Sequence, residues 1–213
     1  MGMKKETTIV TGTRGAPEVA AALRRVLKAL GRGDTAEAAP AADSPALPAG
    51  AGGGYDVGVH TIIDADAEIA YGTVEDCKKA ILSLFESVKR SVVNADDPFS
   101  AELLRARPDG DVVRYGIFDV DACDLYADKL LYDNDGVRYD IVYRLRKEDE
   151  ALYMSEQGHQ PFTSRIPVFL SRSGQTAVYT TLAAAGACIQ LGVDLNRLEP
   201  ILGDDIFDVT IQT

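Results

Sequence analysis

The sequence predicts an α/β fold: a three-layer, mostly parallel sheet flanked by helices, with a small antiparallel β-meander. In the first half of the chain, short segments rich in β-branched residues alternate with helical apolar patterns. That alternation builds a parallel sheet covered by helices. Beyond residue 120 the apolar residues recur at every second position instead, which is typical of antiparallel strands with one solvated face.

The first predicted elements are a strand, a glycine turn and a helix within residues 8–31. The turn reads "GTRG", residues 12–15. The helix after it carries one apolar stripe that would face a core, formed by Val19, Leu23, Val26, Leu27 and Leu30. Strand, glycine turn and helix in this order are the layout of a phosphate-binding loop.

Residues 34–54 differ in composition from their surroundings. Eight alanines, three prolines and four glycines fill 15 of the 21 positions, so little large apolar surface is available to offset the entropy of ordering. We expect a flexible connector here.

The next elements continue the alternation. The segment "YDVGVHTII" predicts a buried strand, and Thr73 with Asp76 can cap the helix that follows. "SVVNADDP" predicts a strand followed by a turn that Pro98 stiffens, and "DVVRYG" predicts another strand.

The antiparallel meander is placed in residues 120–150. Two alternating segments flank Asn134-Asp135-Gly136, a turn sequence typical of a hairpin. An alanine-rich helix from about residue 176 to 191 follows, and Gly192 would cap it.

Composition narrows the function classes. The 213 residues suit one main domain, 1–213, and the formal charge of −11 would repel a polyanion, so we expect no nucleic-acid partner. No apolar run is long enough to span a membrane, and the start lacks the apolar core of a secretory signal. Three distant cysteines fit free thiols in a reducing compartment, so we expect a cytoplasmic protein. The sequence does not specify an oligomeric state.

Four segments, in order, resemble the central ATP-binding domain of the Mur ligases, which extend the peptide of bacterial cell-wall precursors. They are "TGTRG", "VGVHTIIDADAEIAYGTVEDCKKAILSLF", "VVNADDP" and "SGQTAVYTTLAAAGACIQLGVD". The branch that adds the third peptide residue is the most similar. The resemblance covers nearly the whole chain and implies the fold given above. It includes neither the amino-terminal precursor-binding domain nor the carboxy-terminal amino-acid-binding domain, which we do not expect within these residues.

The resemblance also identifies departures at the phosphate loop. Ala16 stands at the position of the family lysine, and Pro17 and Glu18 replace its two threonines. The lysine of such a loop neutralises the β- and γ-phosphates, while a hydroxyl holds Mg²⁺. Pro17 removes a backbone donor, and Glu18 adds a negative charge where a polyphosphate would lie.

Other family positions depart in the same direction. The metal-binding histidine aligns with Ala67, and the lysine that becomes carbamoylated to hold a second Mg²⁺ aligns with Ile81. The two asparagines near the carboxyl end align with Ala177 and Thr180, and the connector occupies the interval of the metal-binding glutamate. We therefore expect no metal site and no catalytic residue.

Two sets of residues remain as candidate cofactor-binding residues. The glycine turn contributes Gly12, Thr13 and Gly15, which form either an ordinary β–α turn or a residual anion site at the helix N-terminus. The second set is Asn94, Asp96 and Asp97, which either meet an adenine or serve as turn formers before Pro98.

The remaining polar residues carry weaker signals. Asp64, Asp66 and Glu68 are interpreted as solvated acids, with recruitment of a divalent ion as the alternative. His60 and His159 have no nucleophile at a readable spacing and are interpreted as packed or surface histidines.

Three functional hypotheses follow. The first is a domain that has kept the fold, has lost ATP chemistry and acts as a binding, scaffold or regulatory module beside a protein partner, such as a Mur-type ligase or the missing domains. The second is an ATP-dependent carboxylate–amine ligase completed by another chain. The third is a binder of adenine nucleotide or another small anion without turnover. No tightly bound cofactor is expected, and adenine nucleotide would bind weakly.

Overall fold

The computed structural model describes residues 5–39, 54–64, 66–68, 72–106, 111–144, 163–172 and 174–203. The strands are β1 (Thr7–Thr11), β2 (Thr35–Ala38), β3 (Val57–His60), β4 (Arg90–Asn94), β5 (Asp111–Gly116), β6 (Leu125–Asp133), β7 (Gly136–Arg144) and β8 (Thr163–Leu170). The helices are α1 (Ala16–Ala29), α2 (Val74–Ser87), α3 (Ser100–Ala106) and α4 (Gln175–Gln190). Two 3-10 turns lie at Val120–Ala122 and Leu195–Arg197. None of the helices in these ranges has the length and apolar character that a membrane span needs.

The described residues form one eight-stranded sheet, in the order β2-β1-β3-β4-β5-β6-β7-β8. In this order, each strand from β2 through β1, β3, β4 and β5 to β6 is parallel to the next. β7 and β8 are antiparallel and form the meander with β6. The predicted fold class, a mostly parallel sheet flanked by helices with an antiparallel meander, is confirmed.

Each face of the sheet has its own apolar core. On one face, α1 and α4 pack against the sheet, and Leu23 and Leu182 are fully buried there. On the other face, α2 and α3 cover the sheet through Ile81, Phe85 and Leu103. The two cores make the three layers that the alternation of elements predicts.

Several local sequence signals form the caps and turns that they predict. Thr73 caps α2 because its side-chain oxygen accepts a hydrogen bond from the Asp76 amide at 3.0 Å. The hairpin between β6 and β7 turns at residues 134–135. α4 begins one residue before the predicted start, and its C-terminal end is followed by Gly192 at a φ of 76°.

The interpretation of 34–54 as a connector is wrong for four residues. Thr35–Ala38 form β2, which pairs in parallel with β1 at the edge of the sheet. The pairing depends on the backbone: the Thr35 amide donates to the Glu6 carbonyl at 3.0 Å, and the Ala39 amide donates to the Val10 carbonyl at 2.7 Å. A ladder of backbone hydrogen bonds is available to any sequence without proline, so small side chains do not prevent it. Residues 40–53 lie outside the described part of the chain.

Candidate functional site

A cavity of about 140 Å³ opens at the carboxyl ends of the parallel strands. This is the edge of an open α/β sheet where ligands bind. Its lining comes from the glycine turn, the residues after β3, the ends of β4 and β5, and the first turns of α1 and α4. The lining residues are Arg14, Gly15, Val19, Thr61, Ile62, Asn94, Tyr115, Gln175, Thr176, Tyr179 and Thr180.

The glycine turn is fastened to the segment that follows β3. Gly12 has a φ of 126°, and a Cβ atom there would lie 2.0 Å from the Thr61 hydroxyl oxygen. That hydroxyl lies 3.0 Å from the Thr11 carbonyl oxygen and 2.7 Å from the Arg14 carbonyl oxygen. Only glycine allows both the left-handed φ and this close approach.

Thr13 and Arg14 continue this closure. The Thr13 amide donates to the Ile62 carbonyl at 2.8 Å, so it is not available to a phosphate. The Thr13 hydroxyl donates to a carboxylate oxygen of Asp64 at 2.6 Å and accepts from the Asp64 amide at 2.8 Å. The Arg14 guanidinium forms an ion pair with Asp64 at 2.6 Å. The glycine turn is therefore closed on itself through Asp64.

Asp64 corrects an expectation from the sequence. Its side chain is only 16% exposed and holds two residues of the turn, so its interpretation as a solvated acid is wrong. Across the described ranges, no group of three or more His, Cys, Asp or Glu side chains could hold a metal ion.

The start of α1 carries no cationic side chain. The helix begins at Ala16, which is buried. Ala16 and Pro17 occupy the first turn of α1, and the N-cap residue Gly15 has no side-chain cap. The backbone there keeps the partial positive charge of a helix N-terminus. Neither residue supplies the charged amine of a phosphate-binding loop.

Asn94 and Thr180 provide polar groups inside the cavity. Asn94 is 3% exposed, and its side-chain oxygen accepts from the Asp96 amide at 3.1 Å. Within the described residues its side-chain nitrogen has no hydrogen-bond partner, and the same holds for the hydroxyl of Thr180, which is 2% exposed. Both residues line the cavity, where a ligand or a water can reach these two groups.

Asp96 braces the rim of the cavity. Its carboxylate accepts from the Tyr179 hydroxyl at 2.8 Å and from the Ile117 amide at 2.7 Å. Burial and then the hydrogen bond to Asp96 raise the pKa of Tyr179, so its hydroxyl stays neutral and keeps donating. Tyr115, on the same wall, donates its hydroxyl to the His60 carbonyl at 3.1 Å, and burial raises its pKa as well. The aromatic wall is therefore uncharged.

Asp97 points away from the cavity, into the core on the other face. It accepts from His60 Nε2 at 2.6 Å, from the Ile63 amide at 3.1 Å and from the Phe99 amide at 3.2 Å. Both side chains of the His60–Asp97 pair are almost fully buried. The carboxylate thus joins the segment after β3 to the turn after β4. His159 lies outside the described residues.

The structure brings only part of the predicted site together. Gly15 and Asn94 line the cavity, whereas Gly12 and Thr13 are turned toward the segment after β3. The carboxylates of Asp96 and Asp97 are occupied by protein donors. A role for the six residues in nucleotide binding stays a prediction. Sequence reasoning missed the aromatic wall and the Asp64 contacts, because no motif marks residues that meet only through the sheet.

The three cysteines provide no nucleophile. All are buried, and burial raises the pKa of Cys77 to about 11 and that of Cys123 and Cys188 to about 12. A thiol is reactive as the thiolate, so these groups are inert near neutral pH.

Known structures share this fold. A MurF from Acinetobacter baumannii superposes with a TM-score of 0.66 at 15% identity, over 94% of this chain and 46% of that one. A pseudomurein peptide ligase type C from Methanothermus fervidus superposes with the same score at 18% identity, over 95% and 50%. A MurF ligase from Thermotoga maritima in complex with ADP gives a TM-score of 0.60. No protein-family model matches the sequence.

Sequence similarity decides the ancestry. The chain is 29% identical over 132 residues to a UDP-N-acetylmuramoyl-L-alanyl-D-glutamate–2,6-diaminopimelate ligase of Clostridium botulinum. The chain is homologous to the Mur ligases. Another such ligase, from Clostridium acetobutylicum, is 25% identical over 156 residues. The matches cover 62% and 70% of this Mur ligase homologue but only 23% and 28% of the two ligases.

Mg-ATP, the cosubstrate expected for the central domain of a Mur ligase, does not fit the residues present. Ala16 supplies no charge, Thr13 is occupied by Asp64, and Arg14 is paired with the same carboxylate. A cavity of about 140 Å³ also compares with the roughly 150 Å³ that holds a single benzene ring. The enclosed part of the cavity is therefore about the size of one ring.

Proposed function

We propose that this Mur ligase homologue is a binding module that has lost ATP-dependent ligase chemistry. The observation that carries the proposal is the closed glycine turn, in which protein groups occupy the amide and hydroxyl of Thr13 and the guanidinium of Arg14. Phosphoryl transfer depends on positioning and charge neutralisation. Without the lysine and with a nearby carboxylate, the turn provides neither.

The loss of affinity for Mg-ATP can be estimated. One charge-assisted hydrogen bond contributes about 1.5–3 kcal/mol, which is a factor of roughly 10 to 150 in affinity. Ala16 removes one such bond, and the Asp64 carboxylate must in addition be displaced or tolerated by the phosphate. We therefore expect the affinity for Mg-ATP to fall well below that of a working ATP site.

The ligand or partner of such a module is proposed from its ancestry. The relatives are named as ligases of UDP-N-acetylmuramoyl peptides, so we propose that the module acts in cell-wall precursor synthesis, as a scaffold or regulator beside a ligase of that family.

Calorimetry with Mg-ATP and a phosphate-release assay test the loss of chemistry. We expect no heat, no melting shift and no turnover at about millimolar nucleotide. The matched control is the variant Ala16→Lys with Pro17→Thr and Glu18→Thr, which restores the family side chains and should gain nucleotide affinity. Turnover by the wild-type chain alone would refute the proposal. Turnover that arises only when a Mur-type ligase is added would support the partner-completed ligase instead.

A second candidate function is the binding of a small anion or adenine nucleotide without turnover. The cavity favours it, because the side-chain nitrogen of Asn94 and the first turns of α1 and α4 supply donors. Stabilisation by AMP, ADP or pyrophosphate in the absence of Mg²⁺ would support it. If changing Asn94 to Ala left that stabilisation intact, the cavity would not be the site.

A further inference from the structure

We propose that the Asp64 carboxylate is a built-in competitor that keeps the glycine turn closed against external anions. This inference rests on the second candidate function, the binding of a small anion at this cavity, and adds its regulation. An anion would have to take the place of Asp64 as the partner of Arg14 before it could bind this guanidinium.

The contacts show why one carboxylate is enough to compete with an external anion. One of its oxygens accepts from the Thr13 hydroxyl at 2.6 Å, and the other lies 2.6 Å from the Arg14 guanidinium. Thr13 and Arg14 carry the polar side chains of the turn, and Arg14 is the single basic residue between positions 12 and 18. Carboxylate and phosphate use the same acceptor chemistry toward a hydroxyl and a guanidinium. Asp64 therefore occupies the groups an anion would use.

The two partners of the ion pair differ in exposure. The Asp64 side chain is 16% exposed, and its amide donates to the Thr13 hydroxyl at 2.8 Å, so it is held against the turn. The Arg14 side chain is 62% exposed. An anion in the cavity that Arg14 lines can therefore replace Asp64 as the partner of Arg14, whereas Asp64 keeps its contacts with Thr13. A fixed internal group competes at an effective concentration far above that of a free ligand.

The test compares Asp64→Asn with Asp66→Asn. Both variants remove one negative charge, but the exposed Asp66 contributes only its amide to this region, as a donor to the Asp64 carboxylate. Asparagine at position 64 still accepts from Thr13 and loses the attraction for Arg14. Calorimetric titration with pyrophosphate should show binding about tenfold tighter or more for Asp64→Asn, and a change of about twofold or less for Asp66→Asn.

A third variant tests whether Arg14 is the group that binds the anion. Adding Arg14→Gln to Asp64→Asn should abolish the gain, because the freed guanidinium is then absent. Thermal melting of each variant reports folding, and Asp64→Ser replaces Asp64→Asn if the latter does not fold. AMP, titrated in parallel, separates a requirement for a base from a requirement for a phosphate.

Each outcome has one meaning. Equal gains for Asp64→Asn and Asp66→Asn would reduce the effect to general electrostatics and overturn the inference. Equal binding by wild type and Asp64→Asn would overturn it while leaving the anion-binding function intact. If no variant binds pyrophosphate at about millimolar concentration, both the inference and the anion-binding function fail.

Discussion

Replacing Gly12 and Gly15 by alanine tests the closure of the glycine turn. Both residues have a positive φ, 126° and 82°, so each variant has the left-handed backbone cost of about 1–2 kcal/mol. At Gly15 no neighbouring group in the described part of the chain lies within 4 Å of the new Cβ atom. At Gly12 the Cβ atom would lie 2.0 Å from the Thr61 hydroxyl oxygen and 2.9 Å from the Ile62 carbonyl oxygen.

The difference between the two variants comes from Thr61. To make room, its hydroxyl must leave the carbonyl oxygens of Thr11 and Arg14, which share its one proton, and the lost hydrogen bond costs about 0.5–1.5 kcal/mol. We therefore expect Gly12→Ala to lower the free energy of unfolding by about 1.5–3.5 kcal/mol. Gly15→Ala should lower it by about 1–2 kcal/mol.

Urea unfolding followed by circular dichroism measures both values, and thermal melting provides a second measurement. For a chain of this size, 1 kcal/mol corresponds to a Tm shift of about 2–4 °C. Gly12→Ala should therefore melt about 1–6 °C below Gly15→Ala. Equal losses for the two variants would refute the reasoning, because they would mean that the turn is not packed against Thr61.

Three further predictions concern groups buried around the cavity. Asp97→Ala should lower the free energy of unfolding by about 3 kcal/mol in urea titrations, because it leaves the buried His60 and two amides without their acceptor; a loss under about 1 kcal/mol would contradict this. Tyr179→Phe should cost about 1 kcal/mol for the lost hydrogen bond to Asp96, and an unchanged stability would show that the bond does not brace the rim. Burial raises the pKa of Cys188 from about 9 to about 12, so its contribution to stability is complete below about pH 9 and is lost as the pH rises toward 12. Cys188→Ala should therefore show a flatter decline of stability across that range, and parallel declines would contradict the assignment.

The sequence predicted the elements whose signals are local. The cap at Thr73, the glycine turn and the hairpin around residues 134–135 each depend on residues that lie next to one another in the chain. β2 shows the limit of such signals. Its alanines predicted a connector, but β1 provides backbone partners along the edge of the sheet, so a strand forms there.

The candidate site also has features that the sequence predicts and features that depend on the tertiary structure. The sequence by itself determined the fold class, and the substitutions at Ala16, Pro17 and Glu18 that remove the cationic character of the phosphate loop, because side-chain chemistry is fixed by residue type. Only the tertiary structure decided which polar groups are free to bind a ligand. Asp64 reaches Thr13 across 51 residues of sequence, and Asp97 reaches His60 across 37. The parallel sheet brings the carboxyl ends of its strands to one edge, where these carboxylates contact protein donors instead of solvent or ligand.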